Sequence, residues 1–154
     1  MVSKRFVTYD DVNTMLAKMF RDMAIAGYKP DLVVGLVRGG MVPAIHVSHY
    51  FDVPMMAFKY SLRDHPGKDA VGKLTSELWM GRNVLIVDDI CDEGHTLHDI
   101  YTEINMFDPL VAASCVKTAV LQHNLGSGLF TPDFCGEEIN KVEKPEWIVY
   151  PWEY

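Results

Sequence analysis

Over residues 11–26 the apolar side chains Val12, Met15, Leu16, Met19, Phe20 and Met23 recur at spacings of three and four. That spacing lays them along one face of a helix. Thr8 or Asp10 stands where a helix cap belongs, and Gly27 followed by Pro30 ends the pattern. The period then changes. Residues 31–37 form a short, nearly continuous apolar run, as in a strand covered on both faces. Arg38-Gly39-Gly40 follows, and Pro43 falls in the first turn of a short helix reaching about Tyr50. Residues 53–58 read as a second strand, while 61–75 are polar, contain a Pro-Gly pair and read as a long loop. A third strand is expected over 83–87, a helix over 96–107 with Leu97, Ile100, Tyr101 and Ile104 on one side, and a fourth strand over 113–121. Strands alternating with helices predict an α/β fold, a mostly parallel sheet flanked by helices. Sheets of that kind bind ligands in the crevice beyond the carboxyl ends of their strands.

The length of 154 residues suits one domain, and 49% hydrophobic with 23% charged residues excludes a disordered chain. The nine methionines read as gap-filling core side chains. Fourteen basic against 21 acidic residues give a net charge of −7. A surface of that sign repels phosphate backbones, so no nucleic-acid partner is expected. Cys91, Cys115 and Cys135 form no CxxC pair, which argues against a zinc site or a disulfide scaffold. No apolar run approaches the length of a membrane span. The expectation is a soluble cytoplasmic chain with no integral membrane segment.

The chemistry concentrates between Val84 and Leu97. A buried strand delivers Asp88 and Asp89 to its carboxyl end, Asp92, Glu93 and Gly94 follow, and a helix begins at about His95. Backbone N–H groups at a helix start make an anion cradle, with the positive end of the helix dipole behind it. Carboxylates beside such a cradle repel a phosphate unless they serve another part of the ligand. A sugar diol, or a hydrated Mg²⁺ between the groups, resolves the conflict. A receiver domain also opens with an acidic pair, but it needs a phospho-acceptor Asp at a later strand end. Asp133 follows Thr-Pro rather than an apolar run, so that reading fails.

The segment resembles the phosphoribosyl-pyrophosphate (PRPP) motif of the type I phosphoribosyltransferases, in which hydrophobic residues precede an acidic pair and then Asp-Thr-Gly-x-Thr. Val37-Arg38-Gly39-Gly40-Met41-Val42-Pro43 is similar to that family's pyrophosphate loop. Phe6-Val-Thr-Tyr9-Asp10 and the terminal stretch from Trp147 to Glu153 resemble the two ends of bacterial xanthine–guanine phosphoribosyltransferases. The resemblance implies a type I phosphoribosyltransferase fold over residues 1–154. Its core would span about 8–121 and a small C-terminal hood about 122–154, together with the N-terminal residues.

The same resemblance implies transfer of a 5-phosphoribosyl group from PRPP to a 6-oxopurine (guanine, xanthine or hypoxanthine), with Mg²⁺ as cofactor and pyrophosphate released. Asp92 would be the catalytic base at N7. Arg38 and Gly39 would bind pyrophosphate, Asp88 and Asp89 the ribose hydroxyls directly or through Mg²⁺, and Glu93, Gly94, His95, Thr96 and Leu97 the 5′-phosphate. Trp147 would stack on the base, the backbone of Ile148 would read its edge, and Glu153 would accept from an exocyclic amine. The 61–75 loop would act as a lid, with Lys68 or Lys73 reaching pyrophosphate. Two positions depart from the family: Glu93 replaces a threonine, and His123 aligns with a lysine that contacts the 6-oxo group. A homodimer or homotetramer is expected. The rival readings are a PRPP- or nucleotide-binding regulator on the same fold, and a transferase for another base.

Overall fold

The computed structural model describes residues 2–60 and 80–154. The 61–75 loop, with Lys68 and Lys73, lies outside them. The chain begins with strand β1 (Ser3–Phe6), helix α1 (Tyr9–Ile25), β2 (Leu32–Leu36), α2 (Met41–Phe51) and β3 (Met55–Phe58). It continues with β4 (Val84–Cys91), α3 (His95–Phe107), α4 (Pro109–Cys115), β5 (Val116–Asn124), β6 (Phe134–Ile139) and β7 (Glu146–Val149), and a 3-10 turn covers Pro151–Glu153. Five strands form a sheet in the order β3-β2-β4-β5-β6, every pairing parallel. The remaining two, β1 and β7, form a separate parallel pair.

Thr8, not Asp10, caps α1: its hydroxyl accepts from the Asp11 N–H at 3.1 Å, and the Asp11 carboxylate accepts from the Thr8 N–H at 2.9 Å. This reciprocal cap satisfies two N–H groups that a helix start leaves open. The apolar face of α1 packs with Ala44 and Val47 of α2 on Val33, Leu85, Val87, Ala119 and Leu121. On the other face, Leu97, Ile100 and Ile104 of α3 and Ala112 of α4 cover Val34, Leu36, Ile86, Val116 and Val120. Gly136 lets α1 approach β6, because a Cβ there would run into the Met15 side chain.

The expected fourth strand begins too early. Residues 113–115 are helical, belonging to α4 (Pro109–Cys115). Pro109 presets a helical φ, and the Asp108 carboxylate accepts from the Leu110 N–H at 3.1 Å. The third strand is longer than expected, reaching Cys91, so the acidic pair sits inside β4. There the in–out alternation changes phase: Leu85, Val87 and Ile90 join the α1 side, while Val84, Ile86 and Cys91 join the α3 side. The division expected near residue 122 falls within β5, and β6 extends the main sheet to Ile139. The hood sheet consists of β1 and β7. Among the described residues no helix is long and apolar enough to cross a membrane.

Candidate active site

Three adjoining clefts line the carboxyl edge of the sheet. The first, about 260 Å³, is walled by Asp88, Ile90, Asp92, Glu93, Gly94, His95, Thr96 and Leu97. Gly94 caps α3 with φ +87°, a left-handed conformation open to glycine, and a Cβ there would press on Phe130 at 3.2 Å. Its carbonyl receives the His98 N–H at 3.0 Å, the first hydrogen bond of the helix. The N–H groups just before that bond have no partner within α3 and face the cleft end of the helix. Leu97 is buried in the core, so only its backbone is available to a ligand. The Glu93 side chain is 79% exposed and lies 3.4 Å from His95 Nε2. Its charge is directed to solvent and toward a histidine, leaving the backbone cradle intact.

The second cleft, about 480 Å³, is lined by Arg38, Gly39, Asp89, Trp152 and Glu153. The loop from β2 to α2 passes against β4 so closely that a Cβ on Gly39 would land on the Asp89 carboxylate. Val37–Arg38 is a cis peptide. Asp88 accepts the Asp89 N–H at 2.9 Å, and Asp89 accepts the Ile90 N–H at 2.7 Å. Burial, then repulsion from Asp89, holds the Asp88 carboxyl well above the usual range; burial also raises Asp89, with Glu153 adding to it. Among the described residues, no cation pairs with either carboxylate, and no group of three His, Cys, Asp or Glu forms a metal cage. Two hard oxygen donors short of positive charge fit Mg²⁺, which is commonly held by one or two carboxylates together with oxygens of the ligand.

The third cleft, about 120 Å³, is bounded by Asp89, Ile90, Asp92, Lys141, Trp147, Ile148, Tyr150 and Glu153. Trp147 stands on β7 with 63% of its surface open. Asp92 is held from both sides: Asn124 Nδ2 donates to Oδ1 at 3.1 Å, and Lys141 Nζ donates to Oδ2 at 2.7 Å. Asn124 is fixed in turn, since its Oδ1 accepts the N–H groups of Gly126 and Lys141 at 3.1 Å each. Glu153 Oε2 accepts the Tyr150 N–H at 2.6 Å. The Tyr150 ring lies flat against Trp152 with centroids 5.0 Å apart. Ile90 and Asp92 belong to the first and third clefts, and Asp89 and Glu153 to the second and third, so the three are continuous.

The structure thus brings together Arg38, Gly39, Asp88, Asp89, Asp92, Glu93, Gly94, His95, Thr96, Leu97, Trp147, Ile148 and Glu153. His123 is the exception. It lines a separate cavity of about 370 Å³ with Lys18, Asp22, Cys135 and Glu138. The reason is the pleat: Gln122 and Asn124 turn toward the hood and Asp92, so the residue between them points the other way. The cation near Asp92 is Lys141, supplied by the turn between β6 and β7. Sequence reading missed Lys141, Asn124, Gln122 and Tyr150. Lys141 sits among Asn140, Glu143 and Lys144, a composition any surface turn could have.

A parallel sheet with helices on both faces and an acidic cleft beside a helix N-terminus at its carboxyl edge defines the class of open α/β proteins, which bind ligands at that edge. A profile of the phosphoribosyl transferase domain matches residues 7–154, and the chain belongs to that family. It is 23% identical over 190 aligned residues to xanthine phosphoribosyltransferase 1 of Saccharomyces cerevisiae, covering 97% of this chain and 90% of that protein. It is 26% identical over 129 aligned residues to xanthine-guanine phosphoribosyltransferase of Cereibacter sphaeroides, covering 79% and 68%. Its fold is similar to a crystal structure of purine phosphoribosyltransferase from Pyrococcus horikoshii, with TM-score 0.72, 25% identity, and 99% and 96% of the two chains covered.

Proposed function

We propose that this phosphoribosyltransferase moves the 5-phosphoribosyl group of PRPP to a 6-oxopurine, releasing pyrophosphate. The observation that carries the reading is the continuity of the three clefts. A helix-start cradle, an acidic pair and an aromatic-walled pocket meet within one groove, which offers separate places for a ribose phosphate, its hydroxyls and a base. The relatives named for xanthine and guanine support the choice of purine.

In this reading the N–H groups from Glu93 to Leu97, with the Thr96 hydroxyl, bind the 5′-phosphate. Asp88 and Asp89 accept hydrogen bonds from the ribose hydroxyls, and they are also the residues that would hold Mg²⁺. When bound, that ion supplies charge neutralisation to the departing pyrophosphate. The Arg38–Gly39 segment donates to the same leaving group. The purine stacks on Trp147, the backbone of Ile148 reads its edge, and Glu153 Oε1 accepts from an exocyclic amine. Lys141 turns from Asp92 to the 6-oxo oxygen, which frees Asp92 Oδ2. As N9 attacks C1′ and the C1′–oxygen bond to pyrophosphate breaks, the N7 proton passes to Asp92. Positive charge that develops on the ribose is matched by the acidic pair beneath it. We read the chain as one cytoplasmic domain acting as a homodimer or homotetramer, on the strength of its family resemblance.

The test is a nucleotide-product assay with PRPP, Mg²⁺ and each of guanine, xanthine, hypoxanthine and adenine. The reading expects a monophosphate from a 6-oxo base, lost when EDTA is added. No product from any of these bases would overturn it.

A further inference from the structure

A chain of polar contacts, with Gln122 and Tyr150 buried at its centre, links the hood to the acidic strand. Arg5 of β1 places Nη2 at 3.0 Å from both carboxylate oxygens of Glu137 on β6. Glu137 Oε2 accepts from Gln122 Nε2 at 2.7 Å, and Gln122 Oε1 accepts from the Tyr150 hydroxyl at 2.8 Å. That hydroxyl also lies 3.3 Å from the carbonyl of Asp89. Gln122 is fully buried, and its side chain sits between Glu137 of β6 and Tyr150 of the C-terminal segment.

The orientation of this amide follows from its surroundings. Glu137 has only acceptors, so the NH₂ end of Gln122 must face it, and the oxygen then faces Tyr150. Tyr150 has one proton to give, and its hydroxyl donates it to Gln122 Oε1. Every member of the chain therefore has one allowed direction. An apolar side chain at position 122 would fill the same space, yet it would leave the Tyr150 hydroxyl with only the longer contact to Asp89.

We infer that Gln122 is a positioning residue that sets the height of the base cleft over the acidic pair. Tyr150 belongs to the same hood segment as Ile148 and Glu153, and its hydroxyl is the point where that segment meets β4. Gln122 holds that hydroxyl in line, so it fixes the distance between the purine on Trp147 and the ribose on Asp88 and Asp89. It touches neither ligand. The neighbouring strand position Asn124 aligns Asp92, so two residues of β5 on the same side of the strand set the base pocket from below. This inference rests on the base-binding role proposed above for the third cleft.

The test is steady-state kinetics of Gln122→Met, Tyr150→Phe and the double variant, each with PRPP and the best 6-oxopurine. Gln122→Met leaves the Arg5–Glu137 pair in place, so the hood sheet retains its tie to β6. A lost hydrogen bond and a tilted hood are expected to raise the purine KM about tenfold, with PRPP KM held within about twofold. The double variant is expected to raise the purine KM no further than the single variants do, because both break the Gln122–Tyr150 bond that holds the hood segment. Equal changes in both KM values, or a lower Tm with unchanged KM values, would overturn the inference and make Gln122 a structural residue. A wild-type chain that makes no nucleotide overturns the functional reading and this inference with it, whereas an active wild type with an unshifted Gln122→Met overturns the inference alone.

Discussion

Lys141 Nζ lies 2.7 Å from Asp92 Oδ2, an ion pair that spans the turn after β6 and the turn after β4. The lysine side chain is only 19% exposed, so the pair is more than a surface contact. In the proposed function its two members serve a 6-oxopurine, the cation facing the exocyclic 6-oxo oxygen and the carboxylate a ring N–H. Until a base arrives they satisfy each other. The pair also favours an incoming group that can replace both partners. A 6-oxopurine offers an acceptor to Lys141 and a donor to Asp92, while a 6-amino group offers Lys141 nothing.

Replacing Lys141 by Met is therefore expected to cut kcat/KM for the best 6-oxopurine by about ten- to hundredfold, the worth of one charged hydrogen bond. The preference for 6-oxo over 6-amino bases should shrink in parallel. His123→Gln, in the other cavity, should change neither by more than about twofold. The base panel run on the two variants checks both statements.

Much of this arrangement was legible before any coordinates. The helix face of α1, the strand ending in Asp88 and Asp89, and the glycine at the start of α3 each rest on a local rule, and local rules survive folding. The failures are of another kind. The strands β1, β6 and β7 carry mixed polar and apolar residues because they lie at the hood or the sheet edge, where one side meets solvent. Residues 113–115 fall in α4 rather than in the expected strand, because Pro109 and the Asp108 side chain start a helix there. Lys141 is 49 positions from Asp92 in sequence, and only the return of the chain through β6 brings them together. His123 stands on the opposite side of β5 from Gln122 and Asn124 and lines a separate cavity, a difference of facing that sequence position alone does not show.

Gly39→Ala tests the close approach of the pyrophosphate loop to the acidic pair. A methyl group would land on the Asp89 carboxylate, and relieving that clash requires a backbone shift. Overpacking of this kind costs about 1–3 kcal/mol. The expected outcome is a PRPP KM raised by about tenfold, read by initial rates at saturating purine, together with a Tm lowered by roughly 2–12 °C.

Glu93→Thr restores the residue usual in the family's motif. Since the Glu93 carboxylate is exposed and turned toward His95, the substitution is expected to leave the PRPP KM within about twofold. A larger fall in KM would mean that the carboxylate opposes phosphate in the working enzyme.

The cap on α1 predicts an acid-sensitive contribution to stability. The Thr8 backbone N–H, then its hydroxyl, hold the Asp11 carboxyl below the usual carboxylate range. A lowered folded value contributes stability above the unfolded value, near about pH 4, and that contribution is lost as pH falls through the folded value. Thr8→Ala should cost about 1 kcal/mol at neutral pH, or roughly 2–4 °C in Tm for a chain of this size. The Tm difference between the wild type and Asp11→Asn should narrow as the pH is taken down below about 4.

The most direct measurement is a crystal structure of the protein with a bound 6-oxopurine nucleoside monophosphate. The expected result is the phosphate on the N–H groups of residues 93–97, the ribose hydroxyls on Asp88 and Asp89, and the base against Trp147, with Lys141 moved from Asp92 to the 6-oxo oxygen. A base lodged in the His123 cavity, or a nucleotide running the other way along the groove, would contradict it.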